Sequence, residues 1–322
     1  MAETRREGCL RYGCLGCLGL IAVALVALAI SAGLGWNAAR SQQTQEEVLT
    51  PEIPATPPPA AAGGESAETW EAVREPVSPA GRVILDLENG DFHVRPGRPG
   101  EPLRVKATYD SSSFRLEETL EEPPGEPWTY RLAFRQTGSG LLIGLSRIFG
   151  GSTPRIEVFL PADVPLALDA TMESGGLAMD IGGLWLARAD LNLQKGGVQL
   201  RADEPLKAPM ESLSLRGRMG GFQIQDLGNA SPRKLDVDFQ MGGLQLDLTG
   251  HWVADAEIRI AAVMAGAIVV LPDDVIIQGV EGAAPAPVEL EGSLPTLSFS
   301  TSVGQMGEIE FRGAGVRPSE DR

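Results

Sequence analysis

Side chains that carry metal, thiol or acid–base chemistry are scarce in this sequence. Its 322 residues include two histidines and three cysteines, and no cysteine follows Cys17. A disulfide framework is therefore excluded beyond that residue. The Cys14–Cys17 pair lacks the second pair or nearby histidine that a zinc site needs, and His93 and His251 are far apart in sequence. We predict no catalytic residues, no metal site and no cofactor.

Motifs of known catalytic sites are missing as well. The sequence has no G-x-S-x-G elbow, and Gly138-Ser139-Gly140 is not followed by the Lys and Ser/Thr of a P-loop. Asp236 and Asp238 lie at i and i+2 of an alternating run, where they would form part of a solvated acidic face. One enzymatic alternative stays open, a carbohydrate-active enzyme that uses a surface groove with two carboxylates.

Positive charge is also limited. The chain has 27 Lys and Arg against 43 Asp and Glu, which gives a formal net charge of −16. Because phosphate contacts need clustered basic residues, we exclude nucleic acid as a partner. An acidic surface of this kind favours a protein partner or a cationic ligand.

The only long uncharged stretch lies near the N-terminus. Residues 12–39 carry no charge, and Cys14–Trp36 is almost wholly apolar, which is long enough to cross a bilayer as a helix. Three arginines precede it, so the positive-inside rule predicts a cytoplasmic segment at 1–13 and a single-pass helix at 14–36. This predicts a protein of the cytoplasmic (inner) membrane with an extracytoplasmic C-terminal domain. A signal peptide cleaved after Ser31 is the alternative.

Two segments have the composition of disordered chain. Residues 37–80 are rich in Pro, Ala and Glu and cannot bury a core, so we predict a disordered linker there. Residues 313–322 are expected to be a disordered tail. Between them, residues 81–312 form one predicted extracytoplasmic domain.

A repeated glycine doublet is the strongest signal in that domain. Apolar and polar residues alternate from Gly81 onward, and the doublets recur every 21 to 24 residues. The doublets are Gly175-Gly176, Gly196-Gly197, Gly220-Gly221 and Gly242-Gly243, with a weaker copy at Ala265-Gly266.

One unit of the repeat indicates how the chain would stack. In LDVDFQMGGLQLDL the apolar residues before and after the doublet fall on one face and the polar residues on the other. Such a pair of strands leaves apolar surface open unless copies of it lie above and below. We therefore predict an all-β fold, a β-solenoid with the doublets at its structural corners. A two-sheet sandwich is the alternative.

Several of these motifs resemble a known family. The segments LENGDFHV at 87–94 and RIEVFLP at 155–161, followed by the doublets, resemble the bacterial putative-adhesin β-solenoid family of unknown function. The chain is also similar to the solenoid domain of cell-wall-active antibiotic response proteins. The resemblance implies the solenoid fold, and it brings no catalytic residues with it.

One apolar segment breaks the alternation and is a candidate for partner contact. Its apolar residues follow the spacing of one helix face, either as a cap on the stack or as a docking element for a partner. They are Leu141, Leu142, Leu145, Ile148 and Phe149.

The function that the sequence favours is binding. We expect a membrane-anchored scaffold or an envelope-sensing, adhesin-like module rather than an enzyme. Its expected partners are the membrane, through the N-terminal helix, and an envelope protein or a cell-surface ligand.

Overall fold

Fourteen β-strands make up most of the part of the chain that the structure describes. The structure is a computed structural model, and it describes residues 44–53, 77–137, 153–280 and 294–313. Its strands are β1 (Thr44–Leu49), β2 (Gly81–Pro96), β3 (Arg104–Asp110), β4 (Phe114–Glu121), β5 (Trp128–Gln136), β6 (Arg155–Leu160), β7 (Leu166–Asp180), β8 (Leu186–Arg201), β9 (Ser212–Gln225), β10 (Lys234–Asp247), β11 (Ala256–Val270), β12 (Ile276–Gln278), β13 (Thr296–Val303) and β14 (Glu308–Arg312).

Six long strands form the centre of one sheet. Strands β2, β7, β8, β9, β10 and β11 lie side by side in that order, and every neighbouring pair is parallel. At one side β5 and β6 both pair with β2, and antiparallel pairs add β4 to β5 and β3 and β1 to β6. At the other side β13 and β14 pair with β11, and β12 pairs with β13.

The predicted fold class is wrong in its architecture, although the all-β content is correct. A β-solenoid preceded by a transmembrane helix was expected. The described residues instead form one mixed sheet of 14 strands, and the doublets lie inside continuous strands rather than between paired ones. Alternation and glycine spacing determine the repeat length and the inward face of a strand. They do not determine whether pairing continues through the glycines, nor how the flanking strands join.

The glycine doublets form a column across the sheet. Their first members pair in register with one another, and the column begins at Gly90 of β2 and ends at Ala265 of β11. Gly242 has a φ of +132°, a conformation that side chains with a Cβ rarely adopt. A Cβ at Gly242 would also collide with the carbonyl oxygen of Gly220 on the next strand. These positions therefore need glycine for backbone angle and for strand approach.

The core lies along both halves of each central strand. In β10 the buried residues step by two up to Phe239, resume at Leu244 after five positions, and then step by two again. The irregular backbone at the doublet absorbs the odd step, so the apolar residues of both halves face the interior. This confirms the predicted inward set of this unit, which is 0–3% exposed: Leu235, Val237, Phe239, Leu244, Leu246 and Leu248. Burial of each such side chain contributes about 1.5–3 kcal/mol.

Strand β2 differs from what its local composition indicates. Asn89-Gly90 has the composition of a tight turn, yet β2 continues through it and Gly90 pairs with Gly175. Strands β4 and β5 form an antiparallel hairpin, while β3 pairs with β6 and β1. Turn composition is misleading at Asn89-Gly90, because Gly90 is part of the glycine column between strands and the strand does not turn there.

Strand β1 lies within the segment that was expected to be a linker. Its residues pair antiparallel with β3. The Tyr109 hydroxyl donates a hydrogen bond to Glu47 at 2.9 Å, and Lys106 pairs with Glu46 at 3.1 Å. A polar sequence forms a strand here because β3 presents an open edge whose backbone groups need partners.

The predicted single-pass membrane location is not supported by the structure. Within the described ranges no helix has the length and apolar character needed to span a bilayer. Residues 14–36, where the helix was expected, lie outside those ranges, as does the segment Leu141–Phe149. The expected inner-membrane localisation is therefore not supported.

Candidate functional site

A groove crosses the sheet on the outer face of its second strand halves. It has a volume of about 950 Å³ and runs over β2, β7, β8, β9, β10, β11 and β14. The residues that line it are those that follow the glycine column, so the repeat itself builds the groove.

The floor of the groove consists of the second glycine of each unit. Five glycines pair in register, with Asp91 at one end of the row and Glu308 at the other. They are Gly176, Gly197, Gly221, Gly243 and Gly266. A Cβ built on Gly243 or Gly266 meets no heavy atom within 4 Å. These glycines therefore leave open space above the sheet instead of relieving a clash within it.

A row of glutamines runs parallel to this floor, two residues further along each strand. Gln199, Gln223 and Gln245 pair in register on β8, β9 and β10. His93 and Ala178 continue the row on one side, and Ile268 and Glu310 continue it on the other. None of the three glutamine amides bonds to another residue in the described part of the chain. Each therefore offers a donor and an acceptor to a ligand.

The middle of the groove carries no charge. Among the described residues its lining contains neither lysine nor arginine, and its carboxylates lie at the two ends. At one end Arg312 donates to both carboxylate oxygens of Glu310, at 2.8 and 2.9 Å. These hydrogen bonds hold the pKa of Glu310 below its usual value. The groove is thus a neutral strip of amides and backbone with acidic ends.

The groove does not bring acid–base groups together at its centre. Asp91 on β2 and Glu308 on β14 are separated by six strand spacings, about 29 Å. His93 lines the groove on β2, whereas His251 lies in the connection between β10 and β11. In the described ranges no three His, Cys, Asp or Glu side chains cluster as metal ligands do. The arrangement is suited to contact with a long ligand along its whole length.

The glycine doublets supply two different features. Their first members, Gly175, Gly196, Gly220 and Gly242, have φ between +126° and +138° and lie in the column that joins the two strand halves. Their second members floor the groove. The prediction that the doublets are structural corners did not anticipate this second role.

Sequence reasoning missed the glutamine row, although a signal for it is present. Three units continue after the doublet with an apolar residue, a glutamine and a second apolar residue: GGVQL, GGFQI and GGLQL. Since Phe222 and Leu244 point into the core, the glutamine that follows each must point out. The apolar set predicted for partner contact, Leu141 to Phe149, lies outside the described residues.

Comparisons with known proteins give structural likenesses at low TM-scores. No protein-family model matches the chain, and no curated protein matches it significantly. A putative cell adhesion protein from Clostridium sporogenes has a TM-score of 0.36 at 12% identity, over 84% of this chain and 100% of its own. A putative adhesin from Bacteroides fragilis has a TM-score of 0.33 at 12% identity, over 74% of this chain and 94% of its own.

A third solved structure is named differently. A putative lipid binding protein from Parabacteroides distasonis has a TM-score of 0.31 at 9% identity, over 84% of this chain and 98% of its own. Two of the three names refer to adhesion. The β-solenoid part of the family resemblance seen in the sequence is not confirmed.

Proposed function

We propose that this protein is a non-catalytic, adhesin-like binding module that holds an extended cell-surface ligand in the groove. The observation that supports this most directly is the pairing of an open glycine floor with a row of glutamine amides that have no partner among the described residues. Buried polar groups are normally hydrogen-bonded, and exposed amides in a concave strip are available to a ligand.

The shape of the groove favours a long ligand over a compact one. It extends over seven strands, a length of about 29 Å, and is open to solvent along that length. The five strands between its two ends each present a glycine to the floor, so contacts repeat along the ligand. Repeated weak contacts of this kind bind a polymer that presents the same group many times.

Binding is a better account than catalysis because the groove lacks a reactive pair at its centre. Glycoside hydrolysis needs two carboxylates about 5–10 Å apart on either side of the bond that breaks. Here Asp91 lies at the far end from Glu308 and Glu310, and Glu310 is held by Arg312. Glu308 and Glu310 lie two residues apart on β14, but they are at the end of the groove and one of them is held by Arg312.

Filling the floor tests the proposal. Gly243→Ile places a branched side chain in the open space of the groove, where it meets no protein atom within van der Waals distance of its Cβ. The matched control is Gln240→Ile, on the same strand and exposed outside the groove. Far-UV circular dichroism and thermal melts establish that both variants fold.

The readout is retention of the full chain on washed envelopes from a panel of bacteria. We expect retention of the wild type and of Gln240→Ile, and a loss of at least about tenfold for Gly243→Ile. Equal retention of the two variants would overturn the groove as the site. Absence of wild-type retention on every envelope, or release of reducing sugar from the envelopes, would overturn the binding function itself.

A further inference from the structure

We infer that the ligand of the groove is an uncharged, extended, β-linked polysaccharide whose chain runs across the strands with about one sugar unit per strand. This inference rests on the proposed function and specifies the chemistry of its ligand. Three properties of the groove carry it: the spacing of its rows, the kind of group it presents, and its charge.

The spacing of the glutamine row fits a sugar chain better than a peptide. Neighbouring strands in a sheet are about 4.8 Å apart, so Gln199, Gln223 and Gln245 repeat at that interval. One unit of an extended β-linked polysaccharide advances its chain by a similar distance. A peptide advances by about 3.3 Å per residue and would drift out of step with the row.

The groups in the groove are those that bind sugar hydroxyls and ring faces. A glutamine amide both donates and accepts hydrogen bonds, and a hydroxyl needs the same pair. The glycine floor presents flat backbone with no side chain, against which the apolar face of a pyranose ring can lie closely.

A peptide strand would find few main-chain partners on this floor. Peptides that bind to sheets add a strand at an open edge, where N–H and C=O groups are unpaired. The floor glycines Gly197, Gly221 and Gly243 lie on strands that pair on both sides. Their backbone groups therefore lie within ladders, and the glutamine amides are the principal polar groups that face outward.

The charge of the groove selects against anionic polymers. Its centre has no lysine or arginine among the described residues, and Asp91 and Glu308 are at its two ends. A polyanion such as a uronic acid polymer would bring negative charge to these carboxylates. Arg95 and Arg201 line the adjoining pocket, but each is paired with a carboxylate, Glu157 at 2.9 Å and Asp203 at 3.3 Å. A neutral polysaccharide avoids that repulsion.

A length series of oligosaccharides tests the inference. Isothermal titration of the full chain with β-1,4-linked glucose and N-acetylglucosamine oligomers of two to eight units measures affinity against length. We expect affinity to rise up to about six or seven units, the number of strands crossed, and then to level off. The α-1,4-linked glucose hexamer is the matched ligand, because it has the same sugars in a coiled chain, and it should bind at least about tenfold more weakly.

Glutamine variants test whether the glutamine row binds the oligosaccharide. Gln223→Ala should lower the affinity for the β-1,4-linked hexamer about threefold to tenfold, as expected for the loss of one neutral hydrogen bond. Gln240→Ala, on the exposed surface outside the groove, should leave the affinity within about twofold. Equal effects of the two variants would overturn the inference.

Competition separates this inference from the proposed function. If Gly243→Ile loses envelope binding while neutral oligomers neither bind nor compete, the proposed function stands and the polysaccharide inference fails. If polygalacturonate or an extended peptide competes better than the neutral oligomers, the inference also fails. If envelope binding does not depend on the groove, the proposed function fails first.

Discussion

The two glycines of one doublet have different surroundings, and substitutions should distinguish them. Gly220 has a φ of +138°, and a Cβ there would collide with the carbonyl oxygen of Gly196. Gly221 has no such backbone angle, and its nearest neighbour would be the Gly243 carbonyl oxygen at 3.5 Å, an ordinary contact. Adjacent residues of the same type thus meet opposite steric conditions.

We expect Gly220→Ala to lower the free energy of unfolding by at least about 2 kcal/mol, through backbone strain and loss of strand pairing. Gly221→Ala should raise it by about 0.5 kcal/mol, since alanine restricts the unfolded chain at a compatible position. Urea unfolding followed by circular dichroism measures both values. Equal losses for the two variants would contradict the register of the column.

Tyr109 connects β1 to β3 and makes stability depend on alkaline pH. Burial, followed by the hydrogen bond and charge of Glu47, raises the pKa of Tyr109 to about 12. The unfolded chain loses this proton near pH 10, whereas the folded chain keeps it. The stabilisation is therefore complete below about pH 10 and is lost as the pH rises towards 12.

We expect Tyr109→Phe to flatten this alkaline decline. Urea unfolding at pH 9, 10 and 11 should give a smaller fall in unfolding free energy for the variant than for the wild type. Burial and Glu118 also raise the pKa of Tyr130, so some decline should persist in the variant. An identical slope for both proteins would contradict the role of Tyr109.

At the scale of elements, the central strands of the sheet have a partner on each side, whereas an edge strand has one partner. Strands β8, β9 and β10 have a parallel partner on each side, and their inward residues are buried. Strand β1 pairs only with β3, and most of its residues are exposed. Such edges open at lower free energy than the centre of a sheet.

Hydrogen–deuterium exchange should therefore follow position in the sheet. We expect amides of residues 44–49 to exchange fastest among the strands compared, and those of β8 to β10 slowest. Mass spectrometry of peptic fragments from the full chain provides the comparison, with exchange of the urea-unfolded chain as the reference. Similar rates for β1 and β9 would contradict the sheet order.

At the scale of the whole described fold, the centre of the groove differs in charge from the surfaces around it. The outer face of the first halves carries ion pairs, such as Arg216 with Asp190 at 2.9 Å and Arg131 with Asp86 at 2.7 Å. Exposed pairs of this kind contribute little to stability. The groove on the second halves is neutral at its centre, within a chain whose net charge is −16.

Binding through the groove should therefore depend little on salt. We expect the affinity for the neutral hexamer to change by less than about twofold between 50 and 500 mM sodium chloride, because screening weakens only charged contacts. Titrations at the two concentrations measure the change. A steep loss of affinity at high salt would indicate that basic residues hold the ligand.

Several features could be predicted from the sequence because they depend on local patterns. Alternation identified the inward set of β10, since the side-chain period of a strand is fixed by the backbone. The glutamine that follows three of the doublets is also visible in the sequence. That these glutamines form one row follows only from knowing which strands are neighbours. Composition predicted a disordered linker at Thr44–Leu49, whereas this polar segment forms a strand that pairs with the edge of β3.

The sequence by itself determined that the domain after Gly81 is all-β in its described residues, that its units repeat every 21 to 24 residues, and which residues of a unit point inward. Only the tertiary structure decided that strands continue through their glycines, that Gly90 belongs to the same column, and that three glutamines form one row. The physical reason is that periodicity is a property of one strand, whereas register is a property of two. A groove built from one residue per strand exists only once the strands are side by side.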